Sequence, residues 1–171
     1  MHPPLPKDNA NTVEKAIQKV KDDFLENLYV FRNGKQFLRF RGTENSVIPD
    51  EKYFIGVEDS IWVHNHPSGS SFSVEDIEMA IYSNISEFYI ATENFKYVVK
   101  RPKGGWNLDF EKDEVNWLLN KCHSIAKQEL DKLVVRNEIS ILERDKEIFH
   151  YIWSYFFQLN GIFYKKIEMQ S

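Results

Sequence analysis

Two histidines lie one residue apart at the end of an apolar run in the stretch "WVHNHPSGSSFSVEDI", residues 62–77. Because alternate side chains of a strand point to the same face, His64 and His66 are expected side by side. Neutral imidazoles are common ligands of divalent metals, and two adjacent ones supply half of a four-coordinate site. The spacing therefore predicts a metal site where this strand ends.

A third metal ligand is expected ten residues beyond His66, at Asp76 in the first turn of a predicted helix. A catalytic zinc usually takes three protein ligands from His, Asp or Glu and leaves one position for water. The intervening turn "PSGSSF" can fold the start of that helix back over the histidines. His64, His66 and Asp76 therefore form a candidate ligand set that would acidify a water molecule.

Each of these residues also has an ordinary explanation. Ser73-x-x-Asp76 is typical of a helix N-cap with an acidic residue in the first turn. A single histidine at the end of a strand is usually structural. Two histidines on one face, followed by a Pro-Ser-Gly turn and Ser-x-x-Asp, favour a metal site over these separate roles, although spacing alone does not identify the metal.

The elements before the histidines are a helix, a hairpin and a short strand. An amphipathic helix is predicted near the N-terminus, capped by Asn11, with an apolar stripe of Val13, Ile17, Val20 and Phe24. The run "LYVFRNGKQFLRFRG" predicts two strands joined by a turn at Asn33-Gly34. "SIWVH" predicts a buried strand that ends at the histidines.

The elements after the histidines begin with a helix over "SVEDIEMAIYSN", capped by Ser73. A strand pair follows in "EFYIAT" and "FKYVVKRP", then two helices in residues 110–157 broken near Arg136-Asn137, and a final strand "GIFYKKIE". These elements predict one α/β domain, residues 11–171, with a mixed β-sheet flanked by helices and a helical C-terminal part at about 110–158. Residues 1–10 are expected to be a disordered lead-in.

Composition restricts the partners and the compartment. The net charge of −4 argues against a general nucleic-acid binder, and the short basic pieces at 96–103 and 165–166 are interpreted as solvated strand edges. The one cysteine, Cys122, excludes an intramolecular disulfide and a cysteine-based zinc cluster, and it is expected to be a buried thiol. Without an apolar span or a signal-peptide layout, the chain is expected to be cytoplasmic, with no membrane partner.

The segment "HNHPSGSSFSVED" resembles the signature of the JAMM metallopeptidases, also called the JAB/MPN family: His-x-His-Pro, a short loop, then Ser-x-x-Asp. The wider stretch "RGTENSVIPDEKYFIGVEDSIWVHNHPSG" is similar to RadC-type proteins. "EFYIATENFKYVVKRPKGGW" and "NGIFYKKIE" resemble JAMM-like domains of phage head-morphogenesis proteins and bacterial polymorphic toxins. The resemblance covers roughly residues 26–106 and, more weakly, the last ten residues. The loop between Pro67 and Ser73 is shorter than in typical eukaryotic members.

The resemblance implies a JAB/MPN-like fold in which Zn²⁺ is held by His64, His66 and Asp76. It also implies that Ser73 orients the substrate oxygen or stabilises an oxyanion. A glutamate would take a proton from the water that attacks an amide carbonyl and pass it to the leaving amine. Glu26, just ahead of "NLYVF", occupies the family position of this general base, and Glu44 in "GTENS" is its competitor.

We therefore expect a zinc-dependent peptidase or isopeptidase acting on a protein or peptide substrate. The alternative from another class is a RadC-like DNA-associated or other binding module with a structural metal site. A third hypothesis, a non-catalytic scaffold, is weakened because the ligand set is complete. The acidic composition favours a peptide over a nucleic acid. The identity of the substrate, the oligomeric state and the role of the C-terminal helices stay open.

Overall fold

A six-stranded mixed sheet with four α-helices organises residues 1–170, which are the residues that the computed structural model describes. Ser171, the last residue of the predicted domain, lies outside them. The strands are β1 (Asn27–Arg32), β2 (Lys35–Arg41), β3 (Ile61–Asn65), β4 (Glu87–Ala91), β5 (Phe95–Lys100) and β6 (Phe163–Glu168). The helices are α1 (Val13–Val20), α2 (Val74–Tyr82), α3 (Asp113–Val135) and α4 (Ile141–Leu159), with a short 3₁₀ turn at Glu51–Phe54. The predicted fold class is confirmed.

The strand order is β2-β1-β3-β4-β5-β6. Only β3 and β4 pair in parallel, and the other four pairs are antiparallel. A parallel pair needs a crossover connection, and α2 supplies it. The predicted histidine loop is therefore the connection that leaves the end of β3 and enters α2.

Two turn predictions are confirmed in the backbone. Asn33 and Gly34 both have positive φ, 51° and 71°, as expected for the tight turn that suits the twist of a two-residue hairpin. The predicted break between the C-terminal helices is also present, because α3 ends at Val135 and α4 begins at Ile141. Asn137 has a φ of 57° at that break.

The two faces of the sheet bury different helices. Leu28 and Val30 belong to the larger core, together with residues of α2, α3 and α4, whereas Tyr29 and Phe31 pack with α1. This alternation follows from the period of two along β1. Cys122 is buried in the larger core, as predicted.

The first helix differs from its prediction at both ends. Its N-cap is Thr12 rather than Asn11, because the Thr12 hydroxyl accepts a hydrogen bond from the Lys15 amide at 3.3 Å. The helix ends at Val20, so Phe24 lies outside the apolar stripe and is 65% exposed. A turn redirects the chain there, since the Asp23 carboxylate accepts a hydrogen bond from the Leu25 amide.

Residues 1–10 are held against the sheet, in contrast to the disordered lead-in that we expected. The Leu5 amide donates to the Arg39 carbonyl at 2.8 Å. The Asp8 carboxylate is 2.8 Å from both Lys19 and Arg39 and accepts a hydrogen bond from the Tyr29 hydroxyl. These charge-assisted contacts, which bring together three separate elements, hold the segment in place.

Within residues 1–170, no helix is long and apolar enough to cross a membrane.

Asp8 should stabilise the fold only where it is ionised. Burial would raise the pKa of Asp8, but hydrogen bonds from Lys19 and from the Ala10 amide outweigh it and lower that pKa. A carboxylate whose pKa is lower in the folded state stabilises above its unfolded pKa, about 3.9, and this contribution is lost as pH falls through the folded pKa.

We expect Asp8→Asn to lower the free energy of unfolding by about 2 kcal/mol at pH 7. The difference from the wild type should shrink progressively below about pH 4. Urea denaturation at several pH values measures it, with the exposed Asp22→Asn as the matched control. A difference independent of pH would show that the charge of Asp8 is not what anchors the segment.

Candidate metal centre

The register of β1 against β3 brings Glu26 to the histidines. Leu28 pairs with His64 across these antiparallel strands, and Glu26 lies two residues before Leu28 while His66 lies two residues after His64. All four positions face the same side because side chains alternate along a strand. The ligand atoms of Glu26, His64 and His66 lie within 4.8 Å of one another, and His64 Nε2 is 3.3 Å from Glu26 Oε2.

Asp76 reaches the same place from the first turn of α2. Its Oδ2 atom is 3.3 Å from His66 Nε2. All four predicted side chains are therefore brought together, and each is at most 15% exposed. The most compact group, however, contains Glu26 in place of Asp76, which the sequence predicted as the third ligand.

In each of the two imidazoles, a backbone carbonyl determines that the Nδ1 atom carries a proton. His64 Nδ1 is 2.7 Å from the Asn27 carbonyl, and His66 Nδ1 is 3.0 Å from the Ser71 carbonyl. A carbonyl can only accept a hydrogen bond, so each Nδ1 carries a proton and donates it. Each Nε2 is thereby directed at a carboxylate, which is the arrangement that orients histidine ligands of metals.

The charge balance of this buried group fits a divalent cation. Two neutral imidazoles and two carboxylates carry a total charge of −2, and each Nε2 lone pair would face a carboxylate oxygen without a donor between them. A divalent cation satisfies both lone pairs and cancels the charge. The nitrogen and oxygen donors suit Zn²⁺ and also other divalent metals.

The His66–Asp76 contact has the electrostatics of an ion pair. Burial lowers the pKa of His66, but the hydrogen bond and charge of Asp76, with the charge of Glu26, raise it above its ordinary value. Burial raises the pKa of Asp76, but His66 and the Ser73 amide lower it well below its usual range. Asp76 is therefore ionised, which is the form in which a carboxylate ligates a metal.

Ser73 holds Asp76 in place. The Ser73 amide and hydroxyl both donate to Asp76 Oδ2, at 2.7 and 2.9 Å, and the Ser73 hydroxyl accepts a hydrogen bond from the Asp76 amide at 3.1 Å. This is a capping box at the start of α2. Since the hydroxyl proton is directed at Asp76, the predicted oxyanion role of Ser73 requires the hydroxyl to turn away from its partner, and that role stays a prediction.

Asn65 was missed by the sequence analysis, although it lies between the two histidines. It points to the opposite face, where its Oδ1 accepts a hydrogen bond from the Asn27 amide at 2.7 Å. Its Nδ2 donates to the carbonyls of Asp23 and Leu25. Asn65 thus fixes the segment that carries Glu26, and the only signal in the sequence was a polar residue inside a buried strand.

The four side chains open into a cavity of about 520 Å³. Its apolar wall includes Leu28, Val47, Phe54, Trp62 and Phe88, and its carboxylates are Glu26, Glu44, Glu75 and Asp76. Both candidate bases therefore line the cavity, but Glu44 is exposed on the loop after β2, whereas Glu26 contacts a histidine.

Comparisons of the chain with protein-family models, curated proteins and solved structures gave no match.

Asn65→Ala should destabilise the protein by about 2 kcal/mol, because the Asn27 amide and the carbonyls of Asp23 and Leu25 lose a buried partner. Equilibrium urea denaturation measures the change, and Asn94→Ala, which truncates an exposed asparagine, is the control. If the two variants unfold at the same urea concentration, Asn65 does not hold the Glu26 segment.

Proposed function

We propose that this chain is a zinc-dependent peptidase or isopeptidase that hydrolyses an amide bond. The observation that carries the proposal is the largely buried group of Glu26, His64, His66 and Asp76, which lines a cavity with a largely apolar wall. The similarity of residues 64–76 to the JAMM signature supports the same function.

His64, His66 and Asp76 are the residues that would hold the metal. A bound zinc supplies an acidified water molecule and a polarised carbonyl. The backbone carbonyls of Asn27 and Ser71 keep the Nε2 atoms of the histidines directed into the site. Ser73 keeps the Asp76 carboxylate fixed.

Glu26 is the better general base of the two carboxylates in the group. The lowered pKa of Asp76 makes it a weak proton acceptor, and its bonds to Ser73 restrict its movement. Among the described residues, the Glu26 carboxylate contacts His64 and accepts no backbone hydrogen bond, so it can take a proton from the attacking water and deliver it to the leaving amine. The amine departs with that proton as the carbon–nitrogen bond breaks.

The charge of the cavity favours a peptide over a nucleic acid. Four carboxylates line it, and none of the lining residues that the structure describes is a lysine or an arginine. A phosphodiester backbone is bound mainly through such cations, so it would be repelled here. An amide substrate is neutral at the reacting bond, and its apolar side chains can contact the part of the wall formed by Val47 and Phe54.

A closed structural site is the second candidate function, and one observation favours it. Glu26, rather than Asp76, completes the most compact group with the two histidines. If both carboxylates ligated the metal, the four protein ligands would leave no position for water, as in structural zinc sites. The chain would then be a binding module, of the RadC-like DNA-associated kind or another.

The protein should bind about one zinc per chain through its two strand-end histidines. Elemental analysis after dialysis measures this in the wild type and in the His64→Ala/His66→Ala double variant, with His123→Ala, an exposed histidine of α3, as the control. Zinc should also raise the melting temperature of the wild type and the control by mass action on the folded state. Equal zinc contents in the wild type and the double variant would refute the ligand assignment.

Glu26→Gln should reduce hydrolysis of a peptide mixture by roughly 10²- to 10⁴-fold while zinc stays bound, because the substitution removes the basicity and keeps the shape. Glu44→Gln is the matched control and should retain activity. If Glu44→Gln loses activity with zinc intact and Glu26→Gln does not, Glu44 is the base. If Glu26→Gln loses zinc, Glu26 is a ligand rather than the base, and loss of zinc in Asp76→Asn as well would show the closed structural site with four protein ligands.

A further inference from the structure

The loop between β3 and α2, residues 67–73, links the two halves of the metal centre. Its Ser71 and Ser70 carbonyls lie 3.0 and 3.2 Å from His66 Nδ1 and accept its hydrogen bond, and its last residue, Ser73, fixes Asp76. Ser71 and Phe72 are completely buried. The position of these two residues therefore determines how His66 and Asp76 face each other.

The C-terminal part of the chain holds both buried loop residues. The Tyr164 hydroxyl of β6 is 2.8 Å from Ser71 Oγ and 3.0 Å from Nδ1 of His150 on α4. Trp153 of α4 donates from Nε1 to the Phe72 carbonyl at 2.7 Å and is fully buried. Two consecutive loop residues are thus bonded to elements that lie more than 80 positions further along the chain.

We propose that Tyr164 and Trp153 are positioning residues of the metal centre. Their hydrogen bonds to Ser71 and Phe72, which we call the clamp, hold the loop in place from β6 and α4. Neither side chain contacts the metal-binding group itself. The proposal rests on the proposed function, because it concerns the geometry of the zinc ligands. It assigns a role to the C-terminal helices beyond packing on the sheet.

The physical reason is that Ser71 bonds in two directions at once. Its hydroxyl is hydrogen-bonded to the Tyr164 hydroxyl, while its carbonyl accepts a hydrogen bond from His66 Nδ1. If the hydroxyl loses its partner, the Ser71 peptide can shift, and the orientation of the His66 ring shifts with it. Removing the hydrogen-bond partners that orient a metal-ligating histidine typically lowers metal affinity by about 10- to 100-fold.

Tyr164→Phe tests the proposal, since it removes one oxygen atom and keeps the ring in the core. We expect the zinc dissociation constant, measured by competition with a chelating indicator, to rise by about 10-fold. The matched control is Tyr97→Phe on neighbouring β5, because the Tyr97 hydroxyl is buried and has no hydrogen-bond partner within residues 1–170. Tyr97→Phe should leave the dissociation constant unchanged.

Ser71→Ala should weaken zinc binding too, and combining it with Tyr164→Phe should add little, because the two residues share one hydrogen bond. Additive effects, or an unchanged dissociation constant in Tyr164→Phe, would overturn the proposal. Trp153→Phe is a less suitable variant because it also leaves a cavity in the core.

Amide hydrogen exchange of the zinc-free protein provides a readout that does not depend on the metal. The Ser73 and Asp76 amides, which bond within the capping box, should exchange faster in Tyr164→Phe than in Tyr97→Phe. If the wild type binds no zinc, the proposed function fails, and this exchange difference alone decides whether the clamp exists. Equal exchange in the two variants would show that Tyr164 does not set the loop.

Discussion

The burial of two carboxylates against two imidazoles is the constraint on which the rest of this structure depends. Glu26 and Asp76 each lie 3.3 Å from a histidine Nε2 atom, and their side chains are only 12% and 15% exposed. Charges in such a place are costly unless they are matched, and removing one partner leaves the other uncompensated. With both Nδ1 atoms committed to backbone carbonyls, a divalent cation is the simplest group that balances all four side chains.

Strand pairing and the crossover connection bring these four side chains together. The antiparallel register of β1 and β3 brings Glu26 beside the histidines, and the parallel pairing of β3 with β4 requires the crossover that delivers Asp76 on α2. Asn65 fixes the Glu26 segment from the opposite face of the sheet. The same geometry that makes a stable buried cluster leaves it open to a cavity, which is what a hydrolase requires and a closed structural site does not.

The parts of the site that the sequence predicted are those with local signals. A period of two places His64 and His66 on one face, and Ser-x-x-Asp predicts the capping box. Glu26 was predicted through a resemblance, and its contact with His64 depends on the pairing of β1 with β3, which no local pattern encodes. Asn65, Tyr164 and Trp153 were missed because their partners are 38 to 93 residues away. The ordering of residues 1–10 was missed for the same reason, since Asp8 is held by distant charges.

X-ray absorption spectroscopy of the zinc-loaded protein tests the central claim most directly, because it reports the ligands of the metal itself. The account predicts a first coordination shell of nitrogen and oxygen atoms only, with the outer-shell scattering of two imidazole rings and zinc–nitrogen distances near 2.0–2.1 Å. The single thiol, Cys122, is buried in the larger core and is not among the residues that line the cavity. Sulfur in the first shell, or a spectrum without imidazole scattering, would contradict the account.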